Sequence, residues 1–203
     1  EQLPHCVVRH REYMGYGALA VTGSVVYLTP NIDRLWVEGM RCTNYDAPQA
    51  VSSAARAGLL TGCYPNRIGF AHALNPNSKK GLNPEEETIA ELLKKKDYTT
   101  SAVGKWHLGD RLPFLPLQHG FDEYFGLPYS NDMWPYHPET RAYPPLPLIE
   151  GNDVVNPNVL PADQEQLTVQ YTQRAVKFIE NNRKTPFFLY LAHSMPHVPL
   201  FVS

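Results

Sequence analysis

The feature that most constrains the fold of this chain is the run PFFLYLA, which spans Pro186 to Ala192. Seven residues with almost no polar atoms predict a strand that is buried on both faces, as strands are in parallel sheets. His193, Ser194 and His197 follow the run directly. In open α/β sheets ligands bind beyond the carboxyl ends of the strands, so these side chains are expected at the binding edge.

Helix and strand signals alternate along the rest of the chain, which predicts an α/β layered fold. The segment Asn83 to Glu87 has the signals of a helix start, and Lys94 to Lys96 would close that helix where the dipole favours cations. A helix capped by Ser52 or Ser53 is expected to stop at Gly62. The other predicted elements are helices from Pro30, capped by Thr29, to Gly39 and from Gln164 to Asn182, and strands from Met40 to Ala47 and from Thr99 to Val103.

Composition limits the classes of function. The chain has 203 residues, enough for one compact domain, with 43% hydrophobic and 19% charged residues. The formal net charge is -2 with no long run of one sign, so we expect no nucleic-acid partner. No apolar run approaches the roughly 20 residues of a transmembrane helix, so no membrane partner is expected. Residues 1–10 lack the apolar core of a signal peptide.

The segment Ser52 to Gly62 carries the first residues suited to chemistry. A hydroxyl at a helix N-terminus faces oriented N–H groups and the positive end of the dipole, which favours an anionic substrate. Arg56, one turn later, can reach the same anion or hold the nucleophile. The ordinary structural interpretation of this segment is a capped, alanine-rich helix.

Three further groups lie in loops. Lys105 and His107 project to the same side after a predicted strand, which suits anion binding with proton transfer. His197 lies in a loop stiffened by prolines. Ser130 belongs to a polar turn that either lines a cleft or merely caps one. A surface lysine and histidines with structural hydrogen bonds are the ordinary alternatives.

In this order the segments resemble the sulfatase family, and more narrowly its bacterial arylsulfatase-type members. The resemblance runs from about Met14 to the end of the chain. Its specific elements are the C/S-x-P/A-x-R signature, present from Ser52 to Arg56, and the block GKWHLG. The matching segments are TPNIDRLWVEGMRCTNYDAP, SSAARAGLLTGCYPNRIG, ETIAELLKKKDYTTSAVGKWHLGD, HGFDEYFGLPYSND and PFFLYLAHSMPHVPL.

The resemblance implies an alkaline-phosphatase-like α/β fold with a mainly parallel central sheet flanked by helices. It implies that a maturation enzyme oxidises Ser52 to formylglycine, whose hydrate is the nucleophile. One hydroxyl attacks sulfur and displaces the alcohol, and the other then loses its proton and expels sulfate. By motif matching, Arg56 stabilises the formylglycine and Lys105 binds sulfate. His107 takes the proton that lets sulfate leave, and His197 assists the leaving alcohol. Ser130 donates or accepts a hydrogen bond in the cleft.

The resemblance also implies a divalent metal, usually calcium, at the end of the first strand. The family has two aspartates there, whereas this chain has Glu12 and Tyr13 after the charged run Arg9-His10-Arg11. Glu12 and the oxidised Ser52 are therefore the expected calcium ligands, and the site is expected to be incomplete. We also expect no well-packed central strand within residues 1–13.

Family members are much longer than this chain. Residues 1–203 are therefore expected to be the N-terminal portion of a sulfatase catalytic domain, truncated before the C-terminal domain. The family implies a periplasmic or extracellular location. The expected substrate is a sulfated small molecule or glycan.

Three functions remain open at this point. The first is hydrolysis of sulfate esters through formylglycine at position 52. The second is an inactive sulfatase-fold fragment or anion-binding remnant, which the altered metal pair and the short chain favour. The third is a phosphatase or phosphodiesterase of the same superfamily, with Ser52 acting directly.

Among the matched positions the charges are Arg56, Lys105 and protonatable histidines. They predict a locally positive cleft in a slightly acidic chain. Sulfate is then expected to bind better below about pH 6.5, near the unperturbed pKa of histidine.

Overall fold

The computed structural model describes residues 3–12, 14–26 and 28–202. The chain divides into two compact units. The larger unit comprises Glu1–Glu12 and Pro48–Ser203, and the smaller comprises Tyr13–Ala47. Among the described helices, none combines the length and the hydropathy that a bilayer crossing requires.

The larger unit is built on a six-stranded sheet in the order β1-β6-β2-β3-β4-β5. The strands are β1 (Cys6–His10), β2 (Thr99–Gly104), β3 (Glu123–Gly126), β4 (Leu148–Glu150), β5 (Asp153–Asn156) and β6 (Phe187–Ala192). The first four in this order run parallel, and β4 and β5 are antiparallel additions. The α-helices of this unit are α2 (Ser52–Thr61), α3 (Ile89–Lys94) and α4 (Pro161–Asn182), and short 3-10 turns cover Pro65–Ile68, Leu112–Phe114 and Pro116–His119.

The apolar strand β6 is buried along its whole length, as predicted. Its alternate side chains enter two separate cores because successive residues of a strand point to opposite faces. Phe188 and Tyr190 pack with Ala54 and Leu60 of α2. Leu189 and Leu191 pack on the other face with side chains of α4, namely Leu167, Tyr171, Ala175 and Phe178. The predicted layered fold is confirmed, with β6 in its interior.

Close packing at the end of β2 requires glycine at position 104. Gly104 has φ +108°, and a Cβ there would lie 1.9 Å from the carbonyl oxygen of Ala192. The two residues are register partners on neighbouring strands. A side chain at 104 would therefore push β2 and β6 apart immediately before Lys105.

The smaller unit contains the 3-10 turns Tyr16–Ala18 and Ala20–Thr22 and the helix α1 (Pro30–Glu38). Helix α1 ends at Gly39, as predicted. Thr29 precedes the helix and connects it to the preceding turn, since its Oγ1 accepts from the Ala20 amide at 3.0 Å and donates to Asp33 Oδ1 at 2.8 Å. Residues 40–47 form neither helix nor strand and are exposed, so the predicted strand from Met40 to Ala47 is wrong. No neighbouring strand pairs with this segment in the described part of the chain.

Two predicted helix starts are also wrong. Asn83 to Glu87 form a turn in which Asn83 Oδ1 accepts from the Glu85 amide, and the helix begins only at Ile89. A capping box between Thr88 and Glu91 sets that start, so the side-chain cap overrides the favourable Asn-Pro sequence. Similarly, Val51 is the N-cap of α2, and both serines lie inside the helix.

The first strand does form, at an edge of the sheet. Strand β1 pairs in parallel with β6 from Cys6 to His10. It is half-buried, with Val7 and Arg9 exposed, so the charged run avoids the cost of burying Arg9. The strand is thus neither absent nor fully packed, and Tyr13 lies outside the described residues.

Asp122 connects the starts of β2 and β3. Its Oδ2 accepts from the amide and the hydroxyl of Thr100 at 2.9 and 3.0 Å, and its Oδ1 accepts from Lys94. Burial alone would raise the pKa of Asp122, but the hydrogen bonds from Lys94 and Thr100 lower it below its ordinary value.

We expect Asp122→Asn to lower the free energy of unfolding at pH 7 by about 1 kcal/mol, after allowance for solvent screening. A depressed carboxyl pKa stabilises the fold above the unfolded pKa of about 4, and the contribution is lost as pH falls through the folded pKa. Urea unfolding at pH 7 and at pH 3 measures the difference, which is expected to shrink at pH 3. Glu87→Gln, which breaks the exposed pair with Lys95, is the control with little effect at either pH. Equal losses for Asp122→Asn at both pH values would contradict this account.

Candidate active site

The candidate residues meet at the carboxyl edge of the parallel strands. His10, Gly104 and Ala192 are register neighbours at the ends of β1, β2 and β6. The residues that follow these ends, Glu12, Lys105 and His193, therefore emerge at one edge of the sheet. Helix α2 begins at the same edge with Ser52, which contacts Glu12.

Ser52 is the buried first residue of α2, and its hydroxyl is surrounded by polar groups. Its Oγ lies 2.9 and 2.8 Å from the two carboxylate oxygens of Glu12 and 3.1 Å from Nδ1 of His107. Ser53 instead accepts from the Leu74 amide. Because both hydroxyls serve tertiary contacts, neither caps the helix.

Arg56 lies one turn after Ser52 and is fully buried. Its Nε donates to Glu12 Oε1 at 2.8 Å, and its Nη1 donates to the carbonyl of Lys105 and to Tyr190 Oη. Nη2 is buried and has no hydrogen-bond partner within the described residues. A buried guanidinium N–H without a partner is a donor available to an anion.

Lys105 is 1% exposed and donates to Glu12 Oε2 at 3.0 Å and to Ser130 Oγ at 3.2 Å. Burial and the charge of Arg56 lower the pKa of Lys105 to about 8, while Glu12 opposes this shift. The carboxylate of Glu12 is thus held between two buried cations. Burial alone would raise the pKa of Glu12, but Arg56 and Lys105, together with nearby His10, hold it well below its ordinary value.

His107 is buried with φ +61°, a backbone conformation that is uncommon for residues other than glycine. Its Nε2 lies 2.9 Å from the carbonyl of Leu74, which can only accept, so Nε2 carries the hydrogen. In the neutral ring Nδ1 is then an acceptor directed at Ser52. Burial and the charge of Lys105 lower the pKa of His107 well below its ordinary value, so this ring is neutral at pH 7.

His197 and Ser130 extend the group outward. His197 Nε2 lies 3.5 Å from Ser130 Oγ, and its Nδ1 lies 2.5 Å from the carbonyl of Val198. Ser130 in turn contacts Lys105. The structure therefore brings all seven predicted residues into one connected set: Glu12, Ser52, Arg56, Lys105, His107, Ser130 and His197.

His193 is at the same edge, but among the described residues it makes no hydrogen bond to this set. Its ring packs edge-on against Tyr171, and neither ring nitrogen has a hydrogen-bond partner in the described chain. Burial, together with Arg11 and Arg9, lowers the pKa of His193 to about 4.

The described residues do not make a calcium site. Glu12 and Ser52, the two expected ligands, are in contact, but both carboxylate oxygens of Glu12 also accept from Arg56 and Lys105. Calcium takes six to eight oxygen ligands, and two cations beside the carboxylate oppose a third. Within residues 3–12, 14–26 and 28–202, no group of three or more His, Cys, Asp or Glu side chains is placed to hold one ion.

The electrostatic prediction needs two corrections. The predicted cleft charges omitted Glu12, which offsets one of the two cations. Protonation of His107 also does not occur near pH 6.5, because its pKa is lowered well below that of free histidine. The sequence contained a signal for the first correction. Glu12 follows β1, so it is expected at the same edge of the sheet as Lys105, which follows β2.

A separate cavity of about 400 Å³ lies on the α4 side of the sheet. Ser101, Glu123, Arg174 and Lys177 are among its lining residues, and none of the seven candidate residues contributes to it. The chemistry of the side chains, rather than the size of a cavity, therefore identifies the site.

The fold and the site together define an α/β protein with a buried cluster of charged residues at the carboxyl edge of a parallel sheet. More particularly, the chain belongs to the sulfatase family, whose family model matches residues 7–203. Mouse N-acetylgalactosamine-6-sulfatase is 39% identical over 100% of this chain, and the match covers 41% of the mouse protein. This chain thus spans less than half the length of that relative.

Solved structures agree with the sulfatase fold. PsFucS1 sulfatase from Pseudoalteromonas sp. is 27% identical with a TM-score of 0.86, covering 98% of this chain and 45% of that one. Ps i-CgsB, solved in complex with k-i-k-neocarrahexaose, is 30% identical with a TM-score of 0.75, covering 98% of this chain and 46% of that one. The resemblance to the family and the fold class predicted from the sequence are confirmed.

We expect Glu12→Gln to destabilise the fold by about 3–5 kcal/mol, because it leaves Arg56 and Lys105 buried without their counter-ion. Sulfate should then stabilise the variant more than the parent, since the anion replaces the lost charge. Thermal unfolding with and without sodium sulfate at about 50 mM measures both effects. The ionic strength of that solution is about 0.15 M, which is close to the physiological value. Glu123→Gln removes an exposed carboxylate and should change stability by less than about 0.5 kcal/mol. A Glu12→Gln protein as stable as the parent would contradict the counter-ion role.

Proposed function

We propose that this chain carries the nucleophile-bearing part of a sulfatase active site and hydrolyses sulfate esters through an oxidised residue 52. The observation that carries the proposal is the position of Ser52 Oγ, in contact with Glu12 and His107 and 3.4 Å from Nε of Arg56. This buried serine thus has a carboxylate, a neutral imidazole and a guanidinium within reach at once. The net reaction is cleavage of the ester by water to give an alcohol and hydrogen sulfate.

Arg56 and Lys105 would hold the sulfate group. Arg56 offers the buried Nη2 donor, and Lys105 lies between Glu12 and Ser130 with its ammonium nearly excluded from water. Cations in a water-excluded site interact with an anion more strongly than they would in solvent. Both cations are held in position before an anion binds, because Arg56 donates to the backbone carbonyl of Lys105.

His107 would move the proton at residue 52. Its Nδ1 is an acceptor at 3.1 Å, and its lowered pKa keeps it unprotonated and able to act as a base at neutral pH. His197 would give a proton to the leaving alcohol from Nε2 when its ring carries both hydrogens, because Nδ1 already donates to the carbonyl of Val198. The base thus contacts residue 52, whereas the acid contacts Ser130, which accepts from Lys105.

The surroundings of Ser52 fit the oxidised residue. An oxidised residue 52 supplies an aldehyde hydrate with two hydroxyls, one able to attack sulfur and the other able to expel sulfate. Glu12 and Nδ1 of His107 are both acceptors at Oγ, whereas a single hydroxyl has one hydrogen and a hydrate has two. A maturation enzyme would carry out the two-electron oxidation.

The substrate class we propose is a sulfated sugar. The support comes from relatives: the mouse relative is named for N-acetylgalactosamine 6-sulfate, and one similar structure was solved with an oligosaccharide. Metal is not included in the proposed steps, because the described residues do not form a calcium site.

A second candidate is an anion-binding domain without turnover. The observation that favours it is the pairing of Glu12 with both Arg56 and Lys105, which places a carboxylate where the substrate anion would bind. In that case residue 52 remains serine and binding of sulfate is weak.

Intact mass and activity of the 203-residue chain distinguish these candidates. After co-expression with a serine-oxidising maturation enzyme, the mass should fall by about 2 Da, the two hydrogens lost on oxidation. The oxidised protein should hydrolyse p-nitrophenyl sulfate faster than p-nitrophenyl phosphate. Ser52→Cys, co-expressed with a cysteine-oxidising enzyme, yields the same aldehyde and should reach similar turnover.

Ser52→Ala is the matched control and should show neither the mass change nor turnover. Turnover by unoxidised parent protein that Ser52→Ala abolishes would point to direct attack by the serine. An oxidised protein without sulfate-ester turnover would favour the anion-binding candidate.

A further inference from the structure

The polar turn that follows Ser130 carries groups that the proposed chemistry does not use. From Lys105 the contacts run through Ser130 to His197, then toward Asp132 and His137. Lys105 is 1% exposed, whereas the side chains of His197, Asp132 and His137 are 12%, 22% and 16% exposed. The path therefore leads from the buried anion site toward solvent, on the side where the leaving alcohol would lie.

Asp132 is placed between two imidazoles without bonding to either. Its Oδ1 is 3.9 Å from Nδ1 of His197, and its Oδ2 is 3.9 Å from Nε2 of His137. These separations are too long for hydrogen bonds. Oδ1 is also buried without a hydrogen-bond partner among the described residues, although the side chain as a whole is 22% exposed.

The protonation of His137 follows from its backbone contact. The Glu139 amide donates to Nδ1 of His137 at 3.2 Å, so the hydrogen of the neutral ring is on Nε2, the atom nearest Asp132. A hydroxyl oxygen about 2.8 Å from both a donor and an acceptor that are 3.9 Å apart makes two hydrogen bonds in a bent arrangement.

Backbone bonds and the side chain of Asn131, and not the carboxylate of Asp132, supply the hydrogen bonds that hold this turn. Backbone bonds from Met133 to Ser130 and from Trp134 to Asp132 close the turn. Asn131 connects the turn to α4. Its Nδ2 donates to Oε1 of Gln164, and Nε2 of Gln164 donates to the backbone carbonyl of Asn131. A buried oxygen without a hydrogen bond costs free energy, and a ligand that donates to this partly exposed carboxylate would reduce that cost.

We propose that Asp132 and His137 form a specificity subsite that recognises a hydroxyl group on the alcohol part of the sulfate ester. The hydroxyl accepts from His137 Nε2 and donates to Asp132. This inference rests on the proposed function, because it takes the sulfate to lie at Arg56 and Lys105.

The chemistry of the subsite favours a sugar over an aryl alcohol. Sugars present hydroxyls next to the esterified position, whereas a simple phenol presents none. Tyr136 is 52% exposed and packs at 5.0 Å against the buried Trp134, which offers a supported aromatic surface for the C–H faces of a sugar ring.

Binding to the 203-residue chain tests the subsite without requiring turnover. Calorimetry with N-acetylgalactosamine 6-sulfate and with inorganic sulfate is compared for the parent and Asp132→Asn. We expect the parent to bind the sugar sulfate more tightly than sulfate, and the variant to lose about 10- to 100-fold for the sugar sulfate only. Glu139→Gln, an exposed carboxylate of the same loop, is the control and should change neither.

His137→Gln provides a second variant if Asp132→Asn does not fold, and it should weaken sugar-sulfate binding selectively as well. Equal loss for both ligands, no loss for either, or a parent that binds the two ligands equally would overturn the inference. Turnover of p-nitrophenyl sulfate by the oxidised protein is recorded separately. A parent without turnover refutes the hydrolase proposal, whereas selective loss of sugar-sulfate binding still supports the subsite.

Discussion

The carboxylate of Glu12 is the interaction on which the site depends. Arg56 and Lys105 are both buried, and two buried cations this close are unfavourable unless an anion lies between them. Glu12 supplies that charge from the end of β1, and Ser52 donates to the same group. Strand β1, helix α2 and the end of β2 are thus joined by one ionic cluster.

The same cluster sets the charge of the site. The carboxylate of Glu12 offsets one of the two buried cations, so any other anion would have to compete with it. The neutral His107 does not add a third charge, because burial and Lys105 lower its pKa. In the function proposed above, the two cations hold the sulfate and His107 moves the proton.

Much of the fold was predictable because its signals are local. The apolar run of β6, the glycine stop after α1 and the long amphipathic helix α4 each depend on residues adjacent in sequence. The predictions were wrong where a tertiary contact or a stronger helix cap outweighed the local sequence signal. Asn83 begins a turn because the Thr88 capping box defines the helix, and Ser52 leaves the cap position because Glu12 and His107 engage its hydroxyl.

The sequence by itself determined the family, the layered fold and the identities of the seven candidate residues, since these depend on short motifs and on hydrophobic period. Only the tertiary structure decided how those residues interact. Glu12 lies 93 residues from Lys105 in the chain, and their ion pair exists because parallel strands end at one edge. The same is true of Asp132 and His197, which lie 3.9 Å apart although they belong to different segments of the chain. Distances of this kind carry no signal in sequence spacing, because folding, and not chain order, brings the charges together.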